Sequence, residues 1–302
     1  MIRFALLALA VTVGGLSAST SAWAEEHDGG PSIGLALGSG GAGGLAHIRM
    51  IEVFEDLELG PDTIAGTSIG AIIGMLYAAG MDSAGIRDLF DEFGDSALNP
   101  FADNDGGVNI GPTDLLKIDF DEGSVLDSEG FFELVAEHID ARSFEDLDIP
   151  LKIIATNYWD GETVVLSEGD LFEAVKASMA VPGLLAPVEF DNKLLIDGGT
   201  SNPLPWDQVS DHDIVIAIDV TGTRNRDEDE SPDLADLLFK TFEIMQQSMI
   251  AQMRKASPPD VYIKPELSGI RLLHFDRVDE IMEQAGAAAD ELRAALEEAL
   301  DK

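Results

Sequence analysis

The chain has 302 residues, 45% of them hydrophobic and 25% charged, which is typical of a globular protein with a full core and excludes a disordered or fibrous one. Its 57 acidic and 18 basic residues give a formal net charge of −39, which argues against binding of nucleic acid and against electrostatic docking on anionic lipid. Cysteine is absent, so disulfides and thiolate metal sites are excluded.

The first 24 residues predict a secretory signal peptide. Arg3 supplies the positive charge, residues 4–13 form an apolar run, and Ala22-Trp23-Ala24 matches a small-x-small cleavage site. The apolar run is too short for a membrane-spanning helix. We therefore expect cleavage after Ala24, a leader over residues 25–31, and a periplasmic or secreted protein.

A short buried strand, residues 32–37, is predicted to run directly into the glycine-rich turn of residues 38–44. Glycine lets the backbone approach a ligand and turn its N–H groups outward, and the helix that follows adds the positive end of its dipole. The turn therefore predicts an anion or oxyanion cradle, with these candidates: Gly38, Gly40, Gly41, Gly43 and Gly44. The turn also fits the dinucleotide pattern G-x-G-x-x-G, but such a site needs an acidic residue at the end of the next strand.

The next strand, residues 63–65, ends instead in Gly66-Thr67-Ser68-Ile69-Gly70. In this G-x-S-x-G pattern the serine lies on a tight strand-to-helix turn, and the glycines leave room for the neighbouring backbone. Ser68 is therefore a candidate nucleophile. Because parallel strands end at one edge of a sheet, the serine and the glycine cradle should share a site, as acyl transfer requires.

Residues 70–79 and 83–93 are predicted to be helices, and an irregular segment follows over residues 94–123. We expect this segment to be a mobile cover over the site. Asp103-Asn104-Asp105-Gly106 within it resembles part of a calcium loop but lacks the first carboxylate and the terminal glutamate, so no metal site is predicted.

The remaining pattern alternates strands and helices. A hairpin is predicted around Asp191-Asn192, and its second strand ends in Asp197-Gly198-Gly199, which places another acidic side chain at a strand end before a glycine turn. The other predicted elements are helices at 128–139, 171–179 and 234–253, a final pair of helices over 277–300, strands at 151–156, 162–166, 213–220 and 261–264, and a polar linker at 224–232.

The turns G-S-G-G-A-G-G, G-T-S-I-G and D-G-G, in this order and with the run A-S-M-A-V-P-G at 177–183, resemble the patatin-like phospholipase family over roughly residues 33–220. The resemblance implies an α/β fold, a three-layer α/β/α domain with a mixed, mainly parallel sheet over residues 32–221. Residues 222–302 would then form a C-terminal helical part packed on the same domain. With the signal peptide, it suggests an exported bacterial member.

The same resemblance implies a serine acyl-ester hydrolase that acts on lipids without a cofactor or metal. Ser68 would be the nucleophile, Asp197 its direct base, and the amides around Gly40 and Gly41 the oxyanion hole. The motif glycines would be Gly66, Gly70, Gly198 and Gly199. The expected partner is a lipid or ester substrate. Peripheral contact with a membrane is compatible with this interpretation, and binding of nucleic acid is not expected.

One departure and two alternatives accompany this interpretation. The family usually has Arg or Lys where this chain has Gly43. The loss of this positive charge is expected to affect the rate of the reaction rather than the class of enzyme. A Ser-His-Asp triad would need His212 or His274 as its base, whereas His47 is interpreted as packing or cradle support. The alternative function is a non-catalytic lipid- or nucleotide-binding protein that retains the cradle.

Overall fold

The computed structural model describes residues 30–95, 129–222 and 234–300. The predicted signal peptide, the calcium-like loop at 103–106 and almost all of the predicted cover at 94–123 lie outside the described residues. Among the described residues, no helix combines the length and the apolarity needed to cross a membrane.

The strands of the described residues form one sheet in the order β5-β6-β3-β2-β1-β7-β8, with β4 paired to β3. Five of them, β3, β2, β1, β7 and β8, are mutually parallel, and β4, β5 and β6 pair antiparallel. The predicted mixed, mainly parallel sheet is thus confirmed. The strands are β1 Ile33–Leu37, β2 Thr63–Thr67, β3 Leu151–Asn157, β4 Thr163–Leu166, β5 Val188–Phe190, β6 Lys193–Asp197, β7 Ile214–Ile218 and β8 Val261–Ile263.

The central strands are continuous apolar runs because both faces of the sheet are covered. Every residue of β1 and of β7 is buried, as expected for a parallel sheet between two helical layers. The helices are α1 Ala46–Asp56, α2 Ile69–Ala78, α3 Ser83–Asp95, α4 Glu129–His138, α5 Leu171–Ser178, α6 Leu234–Ala256, α7 Val278–Gln284 and α8 Gly286–Leu300.

The described helices are divided unevenly between the two faces of the sheet. On one face, Ile33, Leu35 and Leu37 of β1 belong to a large core with α1 to α5, α7 and α8. On the other face, Ala36 and Ala217 belong to a smaller cluster with Trp206 and with Ile250 of α6. The three-layer α/β/α arrangement is therefore present, and in the described part of the chain α6 packs on the second face of the sheet.

Local chemistry explains how the chain reaches the end of β6. Asp191 and Asn192 have φ values of 49° and 62°, which are the left-handed conformations of a two-residue type I′ hairpin. This turn joins β5 to β6 and sets the register in which Phe190 faces Lys193. The predicted hairpin is confirmed, and it delivers Asp197 to the sheet beside Ala155 of β3.

The C-terminal part completes the sheet as well as the helical layers. Strand β8 pairs parallel with β7 in the register Ile216↔Val261, and α8 packs against α1. The described residues 234–300 therefore share one core with the preceding residues, because Ile263 and Leu292 lie in the same large cluster as β1.

Candidate active site

Ser68 lies on the turn between β2 and α2, in a backbone conformation that side chains rarely adopt. Its φ is 55° and its ψ is −120°, and a strained serine of this kind is the mark of a nucleophile turn. The Ser68 N–H donates to Ser178 Oγ at 2.9 Å, and Ser178 Oγ donates in turn to Ile154 O at 2.5 Å. A side chain 110 residues away thus helps to hold the strained turn.

The glycines that flank Ser68 are required by close backbone approach. A Cβ at Gly66 would lie 2.5 Å from Gly70 O, and a Cβ at Gly70 would lie 2.2 Å from Leu37 O. Neither contact leaves room for a side chain. The turn therefore packs directly on the end of β1, which brings Ser68 next to the glycine-rich segment that follows β1.

Asp197 ends β6 and is only 1% exposed. Its Oδ1 accepts the Gly199 N–H at 2.7 Å, whereas its Oδ2 has no hydrogen-bond partner in the described part of the chain. Burial raises the pKa of the Asp197 carboxyl to about 6, against the opposite effects of the Ser68 hydroxyl and the Gly199 amide. Ser68 and Asp197 line the same pocket, although among the described residues no hydrogen bond of normal geometry joins the Ser68 hydroxyl to Oδ2.

The glycine-rich turn after β1 uses some of its amides internally and leaves others open. The N–H groups of Gly38, Ser39 and Ala42 donate to Ile218 O, Pro203 O and Leu272 O at 3.1, 2.9 and 2.7 Å. Gly40 and Gly41, before and at the start of a 3₁₀ turn over Gly41–Leu45, have no such acceptor among the described residues, as is usual for the first amides of a helix. Both residues line the pocket that contains Ser68 and Asp197.

The five cradle glycines therefore differ in their surroundings. A Cβ at Gly40 would lie 2.3 Å from Val220 O, and Gly41 has a φ of 56°. Gly43 lines the pocket without a positive φ, whereas Gly44 packs against Ile69 outside it. Among the described residues, the open amides at the start of the 3₁₀ turn are accordingly those of Gly40 and Gly41, whereas the Gly38 amide is already paired.

His47, in the first turn of α1, contacts the backbone of the glycine-rich turn. It is fully buried, and its Nε2 lies 2.9 Å from Gly38 O, so Nε2 carries the proton and donates it. Its Nδ1 has no hydrogen-bond partner in the part of the chain that the structure describes, and burial lowers the pKa of His47 to about 4. This neutral, fixed imidazole agrees with a supporting role.

The structure does not bring His212 or His274 into the pocket. His212 Nε2 lies 3.1 Å from the Thr63 hydroxyl, at the opposite end of β2 from Ser68. His274 is buried, and its Nδ1 accepts the Arg271 N–H at 2.9 Å. No histidine is found among the described residues that line the pocket, so the geometry gives a Ser-His-Asp triad no support.

The pocket has apolar walls around these few polar groups, the usual composition of a small-molecule site. Two regions supply the aromatic side chains. The first is the helical layer around α3 and α4, and the second is the N-terminal half of α6. The aromatic lining residues are Phe90, Phe93, Phe131, Phe239, Phe242 and Phe275.

Sequence reasoning missed three polar residues of the site. Gln246 of α6 donates from Nε2 to Gly199 O at 3.3 Å, and it lines the pocket together with Ser39. The Ser39 hydroxyl is buried and has no hydrogen-bond partner within residues 30–95, 129–222 and 234–300. Ser178 belongs to the run A-S-M-A-V-P-G at 177–183, which resembles the family. Its contact with the Ser68 turn, however, depends on packing between distant segments, and no local sequence pattern indicates it.

The family model described as patatin-like phospholipase matches residues 35–210 of the chain. An uncharacterised protein of the NTE family from Mycobacterium tuberculosis is 33% identical over 195 residues, which cover 64% of this chain and 50% of that protein. Neuropathy target esterase sws of Drosophila melanogaster is 28% identical over 283 residues, covering 83% of this chain and 19% of that protein.

Among solved structures, VipD from Legionella pneumophila aligns with a TM-score of 0.49 at 13% identity, over 89% of this chain and 67% of that chain. The chain spans half the length, or less, of the two curated relatives. Since the family model matches more than half of the 302 residues and takes in Ser68, Asp197 and the whole glycine-rich turn, the chain belongs to the patatin-like phospholipase family.

Proposed function

We propose that this protein is a serine hydrolase of lipid acyl esters in which Ser68 is the nucleophile and Asp197 the base. One observation carries the proposal. A single pocket contains a serine on a strained strand-to-helix turn and a buried carboxyl group, one oxygen of which has no hydrogen-bond partner among the described residues. Because the pKa of Asp197 is raised to about 6, its carboxylate is a stronger base than an exposed aspartate and is still ionised at neutral pH.

In the first half of the reaction, Asp197 takes the proton of the Ser68 hydroxyl while Oγ forms a bond to the ester carbonyl carbon. The carbonyl oxygen becomes an oxyanion, which the N–H groups of Gly40 and Gly41 would stabilise by about 3 kcal/mol each. The intermediate collapses as the C–O bond to the alcohol breaks. The alcohol leaves with the proton held by Asp197, and the acyl group stays on Ser68.

In the second half, water replaces the alcohol. Asp197 takes one proton of the water as its oxygen attacks the acyl carbon, and the same amides bind the new oxyanion. The bond between the carbonyl carbon and Ser68 Oγ then breaks, and Oγ recovers the proton from Asp197. The products are a fatty acid and the free enzyme.

The walls of the pocket support a lipid substrate. Apart from the reacting groups, most lining side chains are aliphatic or aromatic, and such walls favour an acyl chain over a peptide or a sugar. The names of the family and of the Drosophila relative, a phospholipase and an esterase, point to the same bond type.

Labelling with a fluorophosphonate tests the proposal, because only an activated serine reacts. We expect one adduct, on Ser68, and none in Ser68→Ala. Asp197→Asn should slow labelling at least about 100-fold, while the surface control Ser210→Ala should label at the wild-type rate. A wild-type protein that does not react would contradict the proposal and favour a binding protein that retains the cradle.

A further inference from the structure

The long helix α6 extends past the sheet that it covers. Its 23 residues span about 34 Å, whereas the five-residue strands β1 and β7 span about 16 Å. Its C-terminal half is fixed to the sheet, because Ile250 packs in one cluster with Ala217 of β7. In addition, the backbone oxygen of Ser257, just after the helix, accepts a hydrogen bond from Trp206 Nε1. The N-terminal half therefore overhangs the edge at which the strands end and Ser68 lies.

One side of this overhang closes the pocket. Phe239, Phe242 and Gln246 line the pocket with Ser68, and Gln246 binds the turn that follows Asp197. At 100° per residue, these three side chains fall on one face of the helix. The opposite face is turned away from the protein.

That opposite face is apolar, although it is exposed. Leu237, Leu238, Ile244 and Met245, here called the outer stripe, are 52% to 56% exposed. They make up half of the large hydrophobic side chains that are exposed in the described part of the chain. An apolar patch beside a binding pocket marks an interaction surface.

A second exposed apolar group lies at the same edge of the sheet. Strand β3 pairs with β2 as far as Ile154↔Thr67 and then continues for three residues, so Tyr158 and Trp159 project beyond the level of Ser68. Trp159 is 77% exposed, and its ring lies edge-on to that of Tyr158 at 5.0 Å. Tyrosine and tryptophan, with an apolar body and a polar end, suit a boundary between water and lipid.

We propose that the outer stripe and the Tyr158-Trp159 turn together dock on the surface of a zwitterionic lipid bilayer. The choice of a lipid partner rests on the proposed function, because the pocket that the stripe adjoins would draw its substrate from such a surface. Zwitterionic lipid is favoured over anionic lipid because a protein with a net charge of −39 is repelled by an anionic surface. Attachment then comes from apolar burial and does not need basic residues.

Flotation with phosphatidylcholine vesicles tests the docking surface, in a Ser68→Ala background so that the vesicles stay intact. Replacing all four stripe residues by serine should lower the partition coefficient at least about tenfold, and Ile244→Ser with Met245→Ser about threefold. The matched control is Leu300→Ser, an exposed leucine at the end of α8, which should bind within about twofold of the parent protein. Thermal melting verifies that each variant is folded.

Three further readouts separate the alternatives. Binding should persist in 1 M NaCl and weaken when phosphatidylglycerol is added, and Trp159→Phe should abolish a blue shift of fluorescence on vesicle addition. In the protein that retains Ser68, hydrolysis of a water-soluble butyrate ester should be unchanged by the stripe substitutions. A protein that binds vesicles but never hydrolyses esters would contradict the proposed function and leave the docking surface standing. Equal vesicle binding by parent and stripe variant, stronger binding to anionic vesicles, or a stripe-dependent dimer without vesicle binding would overturn the proposal.

Discussion

The floor of the pocket, formed by residues 38–44, 66–70 and 197–200, and its roof, formed by residues 237–246 of α6, are built in different ways. On the floor, backbone meets backbone: a Cβ at Gly198 would lie 2.1 Å from Ile154 O, and a Cβ at Gly40 would lie 2.3 Å from Val220 O. On the roof, aromatic side chains face inward and half-exposed aliphatic side chains face outward.

The difference separates two tasks. Groups that stabilise charge in a reaction need fixed positions, which closely packed turns provide. An apolar chain of variable length needs only shape and volume, which side chains on an overhanging helix provide. Substitutions in the floor should therefore change folding stability or reaction rate, and substitutions on the outer surface of the roof should change neither.

The largest effect is expected where a side chain is added to the floor. Gly198→Ala should lower the free energy of unfolding by about 3 kcal/mol or more, because backbone at Ile154 would have to move. On the roof, Leu238→Ala should change it by less than about 0.5 kcal/mol. Gly286→Ala, at a helical glycine with open space around it, is the control and should be neutral or stabilising. Urea denaturation measures all three, and a Gly198→Ala protein as stable as wild type would remove the contrast between floor and roof.

The second effect is the pH dependence of the free energy of unfolding, to which the buried Asp197 carboxyl contributes. Its raised pKa means that, between pH about 4 and 6, the folded protein binds a proton more tightly than the unfolded chain, so stability falls as pH rises through that window. Above pH 6 the ionised carboxylate should cost the folded state up to about 3 kcal/mol. Asp197→Asn should thus be more stable than wild type at pH 8 and equal to it at pH 4.

Thermal melts across this pH range measure the difference, with the exposed Asp290→Asn as control. His47 acts in the opposite direction: its pKa is lowered to about 4, so its contribution to stability is lost as pH falls from about 6.5 towards 4. In Asp197→Asn this loss is no longer offset, and stability should fall more steeply with acid than in wild type. A flat profile in the variant would mean that His47 is not held neutral.

The third effect is on the rate of ester hydrolysis. Since the base must be ionised, kcat/KM should fall about tenfold per pH unit below a midpoint near 6 and level off above it. A histidine base would give a similar midpoint, so His212→Asn and His274→Asn are needed as controls. Both should keep the rate and the midpoint, and loss of activity in either would revive the triad.

The smallest effect is expected at Gly43. A Cβ there would meet Leu267 Cδ1 and Val220 O at 3.3 Å, and the φ of Gly43 is not positive, so a side chain requires only a small adjustment. Gly43→Arg would place a positive charge beside the open amides and should raise the rate a few-fold, at most about tenfold, with little change in melting temperature. Gly43→Gln, which adds bulk without charge, should not raise it. A lower rate in both would mean that the floor tolerates no side chain at this position.

Much of the floor could be predicted because its signals are local. The G-x-S-x-G pattern predicts the Ser68 turn, Asp191-Asn192 predicts the hairpin that leads to Asp197, and unbroken apolar runs predict β1 and β7. In each case a few adjacent residues determine the backbone conformation on their own, through glycine, left-handed turn residues or apolar periodicity. The order of the three turns along the chain was enough to indicate the family.

Packing between distant segments decided the rest. The sequence cannot show that the Gly38 amide is used by Ile218 O while those of Gly40 and Gly41 stay open, or that Ser178 supports the Ser68 turn. It predicts helix α6 but not that half of it overhangs the sheet, because that depends on the lengths of strands far away in the chain. By itself the sequence determined which residues form the turns, since turn chemistry is local; only the tertiary structure decided which amides remain open and which helix face remains exposed, since both depend on contacts made across the whole fold.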